Sequence, residues 1–320
     1  MNEFEMIRDF FRPLTMGREE AGALLDDAAI LNVPDGYELV VSSDTLHGGV
    51  HFLKDEAPAN IAHKALRVNL SDMAAMGAKP YCYQLNLAFS HMPDLEWAKS
   101  FTDALLADQK EFEVFCSGGD TTVVEGPMLV SMTMTGLVPK GKAVKRSGAR
   151  AGDLAVVTGT IGDPAIGVKV LLKLLELDDP SPFLNASYKP VPRTNTAEAV
   201  HTHAHAAIDI SDGLIADVSH IASASGLAAV VEIDQVPFSD DAKALLDAGK
   251  VSVEDLITGG DDYELALAVA PEKLDGFMAN MKALGVAATV IGRFDEGQGV
   301  QVVDQDGEAV ELSRKGWTHF

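Results

Sequence analysis

Aspartates in this chain stand where strands and helices should give way to tight turns. They occur in Asp26-Asp27, Ser43-Asp44-Thr45, Asn69-Leu70-Ser71-Asp72, Gly118-Gly119-Asp120-Thr121-Thr122, Asp209-Ile210-Ser211-Asp212-Gly213 and Gly259-Gly260-Asp261-Asp262. Carboxylates collected in one cleft repel each other, by about 4 kcal/mol for a pair about 4 Å apart in a partly screened environment. A fold that gathers them therefore needs cations. Hard oxygen ligands spread over many loops suit magnesium, which keeps several waters and shares itself between carboxylates and the phosphates of a nucleotide. The pattern predicts a magnesium-dependent nucleotide enzyme.

The segments between these turns alternate in a way that predicts two α/β halves. Tyr37 to Asp44 reads as a strand that presents Ser42, Ser43 and Asp44 at its end. Ala59 to Met76 is rich in Ala, Leu and Met and is followed by Gly77 and Pro80, which predicts a helix with Asn69 and Asp72 on one face. Tyr81 to Phe89, Phe112 to Cys116 and Met128 to Val138 read as strands, and Leu95 to Ala107 as a helix. This half is expected to be α+β with a mixed or antiparallel sheet, and Met132 and Met134 to belong to its core.

Residues 1–138 form the expected N-terminal domain, and residues 139–152 a linker carrying Lys140, Lys142, Lys145, Arg146 and Arg150. Residues 153–320 are expected to form an α/β C-terminal domain. There, Leu154 to Thr158 reads as a strand, and Asp163 as a cap for a helix that starts with Pro164 and runs through Leu175. Asp178 to Pro192 reads as a loop and Thr194 to His205 as a helix.

A length of 320 residues accommodates two domains of ordinary size, and a hydrophobic fraction of 47% places the chain among globular proteins. The formal net charge of −23 repels polyanions, so nucleic acid is not an expected partner, although bound metals can invert the sign locally. Cys82 and Cys116, the two cysteines, have no metal-type spacing and read as buried thiols of a reducing compartment. Met1 to Phe11 carry Glu3, Glu5 and Asp9 rather than a basic start before an apolar core. No apolar run reaches membrane-spanning length. The expected location is the cytoplasm.

Taken singly, each motif also has a plainer explanation. Gly118 to Thr122 satisfies the requirements of a turn, although its place after an apolar strand sets Asp120 where ligands of α/β sheets sit. Ser211 or Asp212 is a natural cap for a helix beginning near Leu214. No G-x-x-x-x-G-K-[ST] loop is present, and Gly159-Thr160-Ile161-Gly162 is a weak anion-binding signal. His201, His203 and His205 read as an exposed helix end complementing the dipole.

In order along the chain, the strings DDAAIL, SSDTLHGGVHF, KALRVNLSDMAAMGA, SGGDTT, KRSGARAGD, VTGTIGD, IDISDGLIADVSHI, GGDDYEL and KGWTHF resemble the bacterial thiamine-monophosphate kinases over nearly the whole length. Those enzymes belong to the aminoimidazole ribonucleotide synthetase superfamily. The resemblance implies an N-terminal domain whose sheet pairs with its twin in a homodimer, and a C-terminal α/β domain. It implies transfer of the γ-phosphoryl group of ATP to thiamine monophosphate, with several magnesium ions. By the same resemblance Asp27, Ser42, Ser43, Asp44, Asp72, Asp120, Asp209 and Asp212 hold magnesium. Gly119, Asp120, Arg146 and Ser211 meet ATP, and His51, Asp261 and Trp317 meet thiamine monophosphate.

The chain departs from the family pattern at Leu24-Leu25 before Asp26-Asp27, where glycine is usual, at Asp261, where glutamate is usual, and at Trp317, in place of tyrosine. The rival assignments are other enzymes of the superfamily, namely the purine-pathway synthetase, selenophosphate synthetase and the hydrogenase-maturation protein. Selenophosphate synthetase usually shows a reactive cysteine near its N-terminus and the hydrogenase protein one at its C-terminal end, and neither is present. A non-catalytic cation binder is the alternative from another class, and no D-x-[DN]-x-[DN]-G loop supports it.

Overall fold

The computed structural model describes residues 3–316. The chain divides into two compact units, Met1–Met73 with Ala78–Gly141, and Ala74–Gly77 with Lys142–Phe320.

In the first unit a short helix α1 (Glu3–Met6) runs into a π-helical turn and two 3-10 segments, Arg12–Thr15 and Glu19–Leu24. Strand β1 (Tyr37–His47), helix α2 (Pro58–Ala75), β2 (Lys79–Phe89), α3 (Leu95–Phe112), β3 (Phe115–Val123) and β4 (Leu129–Pro139) follow. The sheet has the order β1-β4-β2-β3, with β2 and β3 parallel and the other pairs antiparallel. Of the mixed or antiparallel sheet expected, it is the mixed one. Alternation along β1 turns Val40, Ser42, Asp44 and Leu46 to the more buried face and leaves Leu39, Val41, Ser43 and Thr45 on the exposed one. Met132 and Met134 are buried on β4, as expected. Helix α3 is capped by the Asp94 side chain, which accepts the Trp97 N–H, and Trp97 stacks on Phe101 at 4.9 Å.

Helices α2 and α3 are tied by a buried charge cluster. The Arg67 guanidinium donates through Nε to Asp108 Oδ2 (3.0 Å), and through Nη2 to Asp108 Oδ1 and Glu111 Oε2 (both 2.7 Å). His63 Nδ1 meets Asp108 at 2.8 Å, and the Phe112 ring lies under the guanidinium.

The second unit contains β5 (Leu154–Thr158), α4 (Asp163–Leu171), α5 (Ser181–Tyr188), α6 (Ala197–His203), β6 (Ala204–Asp209), α7 (Leu214–Ser225), β7 (Ala228–Glu232), α8 (Asp240–Asp247), α9 (Val253–Ile257), β8 (Leu265–Val269), α10 (Pro271–Ala283), β9 (Ala288–Asp295) and β10 (Gly299–Val303). Its sheet runs β10-β7-β9-β5-β8-β6, antiparallel except for the β10–β7 pair. Both faces are covered. Val157, Ile208 and Phe294 pack with Leu214, Val218 and Ile221 of α7, whereas Val156, Ala207 and Leu267 pack with Phe277 and Met281 of α10.

Several local expectations are corrected. Gly118 to Thr122 is not a turn beyond a strand, because the ladder with β2 continues through Asp120, which lies opposite Asn86. A Cβ at Gly119 would sit 1.8 Å from the Leu85 carbonyl oxygen, so glycine is what permits this close approach. Phe112 ends α3 rather than starting a strand, and α4 stops at Leu171 rather than Leu175. Asp163 opens α4 without capping it, since Gly162 holds the cap position and the Asp163 carboxylate accepts the Ser239 hydroxyl instead. The segment 178–192 contains α5, where Pro182 suits the first turn and the Ser187 hydroxyl reaches the Pro164 carbonyl at 3.0 Å.

The three histidines are not an exposed helix end. His201 Nδ1 meets the Gly77 carbonyl at 3.1 Å, His203 lies against Phe277, and His205 is already in β6, with Nδ1 2.9 Å from Asp153.

Candidate active site

In the first unit, the pairing of β1 with β4 places Ser42 opposite Met134 and Asp44 opposite Met132. Both polar side chains thereby share the face on which Asp72 of α2 arrives. The Ser42 hydroxyl donates to the Asp72 carboxylate. Burial, then the charge of Asp72 and a hydrogen bond to it, push the Asp44 carboxyl up to about 7. Two carboxylates and a hydroxyl held this closely form an all-oxygen donor set that a divalent cation would relieve, and the chemistry fits magnesium. Ser43 points the other way. Its hydroxyl donates to the Met132 carbonyl at 3.0 Å and accepts from Thr133 at 3.2 Å, so its side chain stands apart from Asp44 and Asp72.

Asp27, Gly119 and Asp120 line one pocket of about 330 Å³, together with Asp26, Gln84 and Asn86. Asp120 is exposed, and its Oδ1 accepts the Thr121 N–H at 2.8 Å. A neighbouring depression of about 490 Å³ shares Asp26 and Ala28 with it and is lined by none of the expected ligands. His51 follows β1 in a turn closed by its own N–H on the His47 carbonyl (2.9 Å), while its Nδ1 accepts the His47 N–H (3.0 Å). The buried Lys64 ammonium donates to the His51 carbonyl at 3.1 Å, and Lys64 and Asp72 lie two turns apart on one side of α2.

In the second unit, Asp209 ends β6 opposite Leu265 and is buried. Beyond the strand the backbone stays paired with the segment before β8. Ile210 N–H donates to the Glu264 carbonyl, Tyr263 N–H to Ile210 and Asp261 N–H to Ser211, each at 2.8 Å. These bonds bring Asp261 beside Ser211 and Asp212. Gly260 fits because a Cβ there would lie 2.5 Å from the Ser211 carbonyl oxygen, and Asp261 itself adopts φ +66. The Tyr263 hydroxyl donates to Asp261 Oδ1 at 3.1 Å. The basic segment reaches the same strand, as Ala207 N–H donates to the Lys145 carbonyl at 3.1 Å and Arg146 is exposed.

Asp217 and His220, on α7, are candidate site residues that sequence reasoning did not single out. Among the described residues, Asp212, Asp217 and His220 form a group whose ligand atoms all lie within 4.8 Å of one another. Burial and then the charge of Asp212 push the Asp217 carboxyl up to about 7, against the N–H bonds it accepts and the positive charge of Arg146. Neither Ser211 nor Asp212 caps α7, since Gly213 holds that position without a side-chain bond. The signal was the Asp212-x₄-Asp217-x₂-His220 spacing, but an acid in a first helical turn reads as an ordinary partner of the dipole.

The Gly159 to Gly162 segment is committed elsewhere. Gly162 N–H donates to the buried Asp262 at 2.7 Å, and a Cβ at Gly159 would lie 1.9 Å from the carboxylate of Glu264, which is itself paired with Arg193. Trp317 lies outside the described residues.

Residues 25–138 match the family described as AIR synthase related protein, N-terminal domain, and residues 150–305 match AIR synthase related protein, C-terminal domain. A thiamine-monophosphate kinase of Caulobacter vibrioides is 42% identical over 321 residues, covering 99% of this chain and 90% of that protein. The chain belongs to the thiamine-monophosphate kinase family. A crystal structure of the Stenotrophomonas maltophilia family member superposes with a TM-score of 0.85 at 36% identity, covering 95% of this chain and 97% of that one. Another family structure, AaThiL complexed with AMPPCP and TMP, gives a TM-score of 0.80 at 30% identity over 99% of this chain and 97% of its own.

Proposed function

We propose that the protein transfers the γ-phosphoryl group of ATP to the phosphate of thiamine monophosphate, giving thiamine diphosphate and ADP. Family membership along the whole chain supports this reading, and the observation that carries it is the family structure holding an ATP analogue together with TMP at 30% identity. A phosphate monoester, with its second pKa of about 6, is already largely dianionic at neutral pH. The acceptor therefore needs no strong general base. What it needs is alignment with ATP and cancellation of charge between two polyanions.

The side chains divide that work. Asp27, Ser42, Asp44, Asp72, Asp120, Asp209 and Asp212 would hold magnesium, with the Ser42–Asp44–Asp72 cluster the most tightly assembled. Bound magnesium neutralises the phosphate oxygens. Ser43 is left out of the side-chain set because its hydroxyl is spent on β4. Arg146 would offer a guanidinium to the nucleotide phosphates and Ser211 a hydroxyl, and Gly119 carries over as an ATP contact from the family resemblance. His51 and Asp261, each held in a hydrogen-bonded backbone turn of its own unit, would contact thiamine monophosphate. Trp317 carries over as a substrate contact from the sequence alone, and its aromatic face suits the cationic thiazolium. The working assembly is a homodimer joined through the N-terminal sheet. It works in the cytoplasm, where Cys82 and Cys116 stay reduced.

The test is incubation of the purified protein with magnesium, ATP and, in parallel, thiamine monophosphate, free thiamine and aminoimidazole precursors. Thiamine diphosphate arising from the monophosphate alone is expected. Turnover of free thiamine instead would indicate a pyrophosphokinase, and turnover of an aminoimidazole precursor a purine-pathway enzyme.

A further inference from the structure

We infer that Asp217 is a positioning residue for the nucleotide side of the site, its buried carboxylate fixing the Ser211-Asp212 turn. The inference rests on the kinase reading above. Asp217 Oδ2 accepts the N–H of Ser211 at 3.1 Å and that of Asp212 at 3.0 Å, and the residue is 2% exposed. These two donors lie ahead of Gly213 at the cap position of α7, in the turn and outside the helix, so the bonds fix the turn itself. The acceptor comes from inside the helix, reaching back over its first turn. On the opposite side the Ser211 carbonyl accepts the Asp261 N–H at 2.8 Å. The turn is thus clamped on both edges, leaving the Ser211 hydroxyl and the Asp212 carboxylate as the groups free to meet a ligand.

A neutral acceptor could bond the same two N–H groups without setting a second acid beside Asp212. A carboxylate here trades repulsion for a rigid turn, which is the trade a ligand-binding loop needs. Loss of the acceptor would leave two N–H groups unsatisfied and let the turn relax.

The experiment compares wild type, Asp217→Ala and Asp217→Asn by steady-state kinetics and by amide hydrogen exchange of the peptide spanning 209–213. The alanine variant is expected to raise KM for MgATP about tenfold while KM for thiamine monophosphate stays within about twofold. Exchange at Ser211 and Asp212 should quicken in the same variant. The asparagine variant retains an acceptor oxygen and is expected to keep the exchange protection, with KM for MgATP raised no more than about threefold.

A fall in thermal midpoint of the alanine variant with neither KM changed would reduce Asp217 to a structural acid and overturn the inference. If the alanine variant does not fold, the asparagine variant decides. A tenfold rise in KM for MgATP with intact protection would make Asp217 a direct metal ligand, not a positioning residue. Wild-type turnover is the control. Its absence sinks the kinase reading and leaves the exchange comparison to support or overturn the clamp by itself.

Discussion

Asp44 and Asp72 are held where each makes the other's charge more expensive, with Ser42 bonded to the same carboxylate. Such a cluster is a local destabilisation that bound cations offset. Asp72→Asn should therefore separate stability from activity. The metal-free variant is expected to melt no lower than wild type, whereas kcat/KM falls by roughly 10²-fold or more, the scale of losing one group that stabilises transition-state charge. Millimolar magnesium should raise the melting midpoint of wild type more than that of the variant. Scanning calorimetry with and without magnesium, alongside product formation, checks all three statements, and near-normal turnover would remove Asp72 from the metal site. At this scale the aspartates stood out beside the expected turns, although Asp44 lies within β1, Asp120 within β3 and Asp72 within α2. Asp217 did not, because its partners are backbone N–H groups five and six residues earlier. Ser43 stands apart from the Asp44–Asp72 cluster for a different reason. Adjacent residues of a strand face opposite ways, so Ser42 and Ser43 do not join one cluster through their side chains.

Helices α2 and α3 show how an element carrying site residues is itself held. Arg67 is 2% exposed and its principal partner Asp108 is fully buried, so the pair is worth little against an apolar substitute but costly to halve. For Asp108, burial works to raise the carboxyl, but His63 and Arg67 outweigh it and hold the group below its ordinary value. A depressed folded value means that the stabilisation is present above the unfolded-state pKa and is lost as pH falls through the folded one. Asp108→Asn should cost about 3 kcal/mol near pH 7, leaving Arg67 and His63 without their shared anion. The gap between variant and wild type should narrow as pH drops below about 4, where the unfolded chain takes up the proton, and close once the folded carboxyl is protonated at lower pH. Urea unfolding over a pH series measures both, and a pH-independent gap would refute the assignment. Long periodic elements such as α2 and β4 were legible. Helix α5 was hidden by the prolines and serines around it, and the start of β6 by an alanine-rich stretch whose strand state is imposed by pairing with β8.

For the whole molecule, the order of the acidic motifs was more informative than any one of them, since a turn or a cap explains each separately but not their sequence. Tertiary assembly was less visible. Nothing in the local pattern marks Ala74–Gly77, at the end of α2, as belonging with the second unit, because alanine and glycine suit either core. The expected homodimer makes a demand that can be met only at exposed apolar surface. On the outer face of β1, Tyr37, Leu39 and Val41 are 45%, 41% and 61% exposed, alternating with residues that turn inward. Covering such a strip stabilises association by about 25 cal/mol per Å² of apolar surface removed from water. Setting charges there repels a second copy while leaving the inner face intact. A Leu39→Glu/Val41→Glu variant should fold with a melting midpoint close to that of wild type and sediment as a monomer at concentrations where wild type is a dimer. A wild type that sediments as a monomer would refute the assembly, and a variant that remains dimeric would move the interface away from β1.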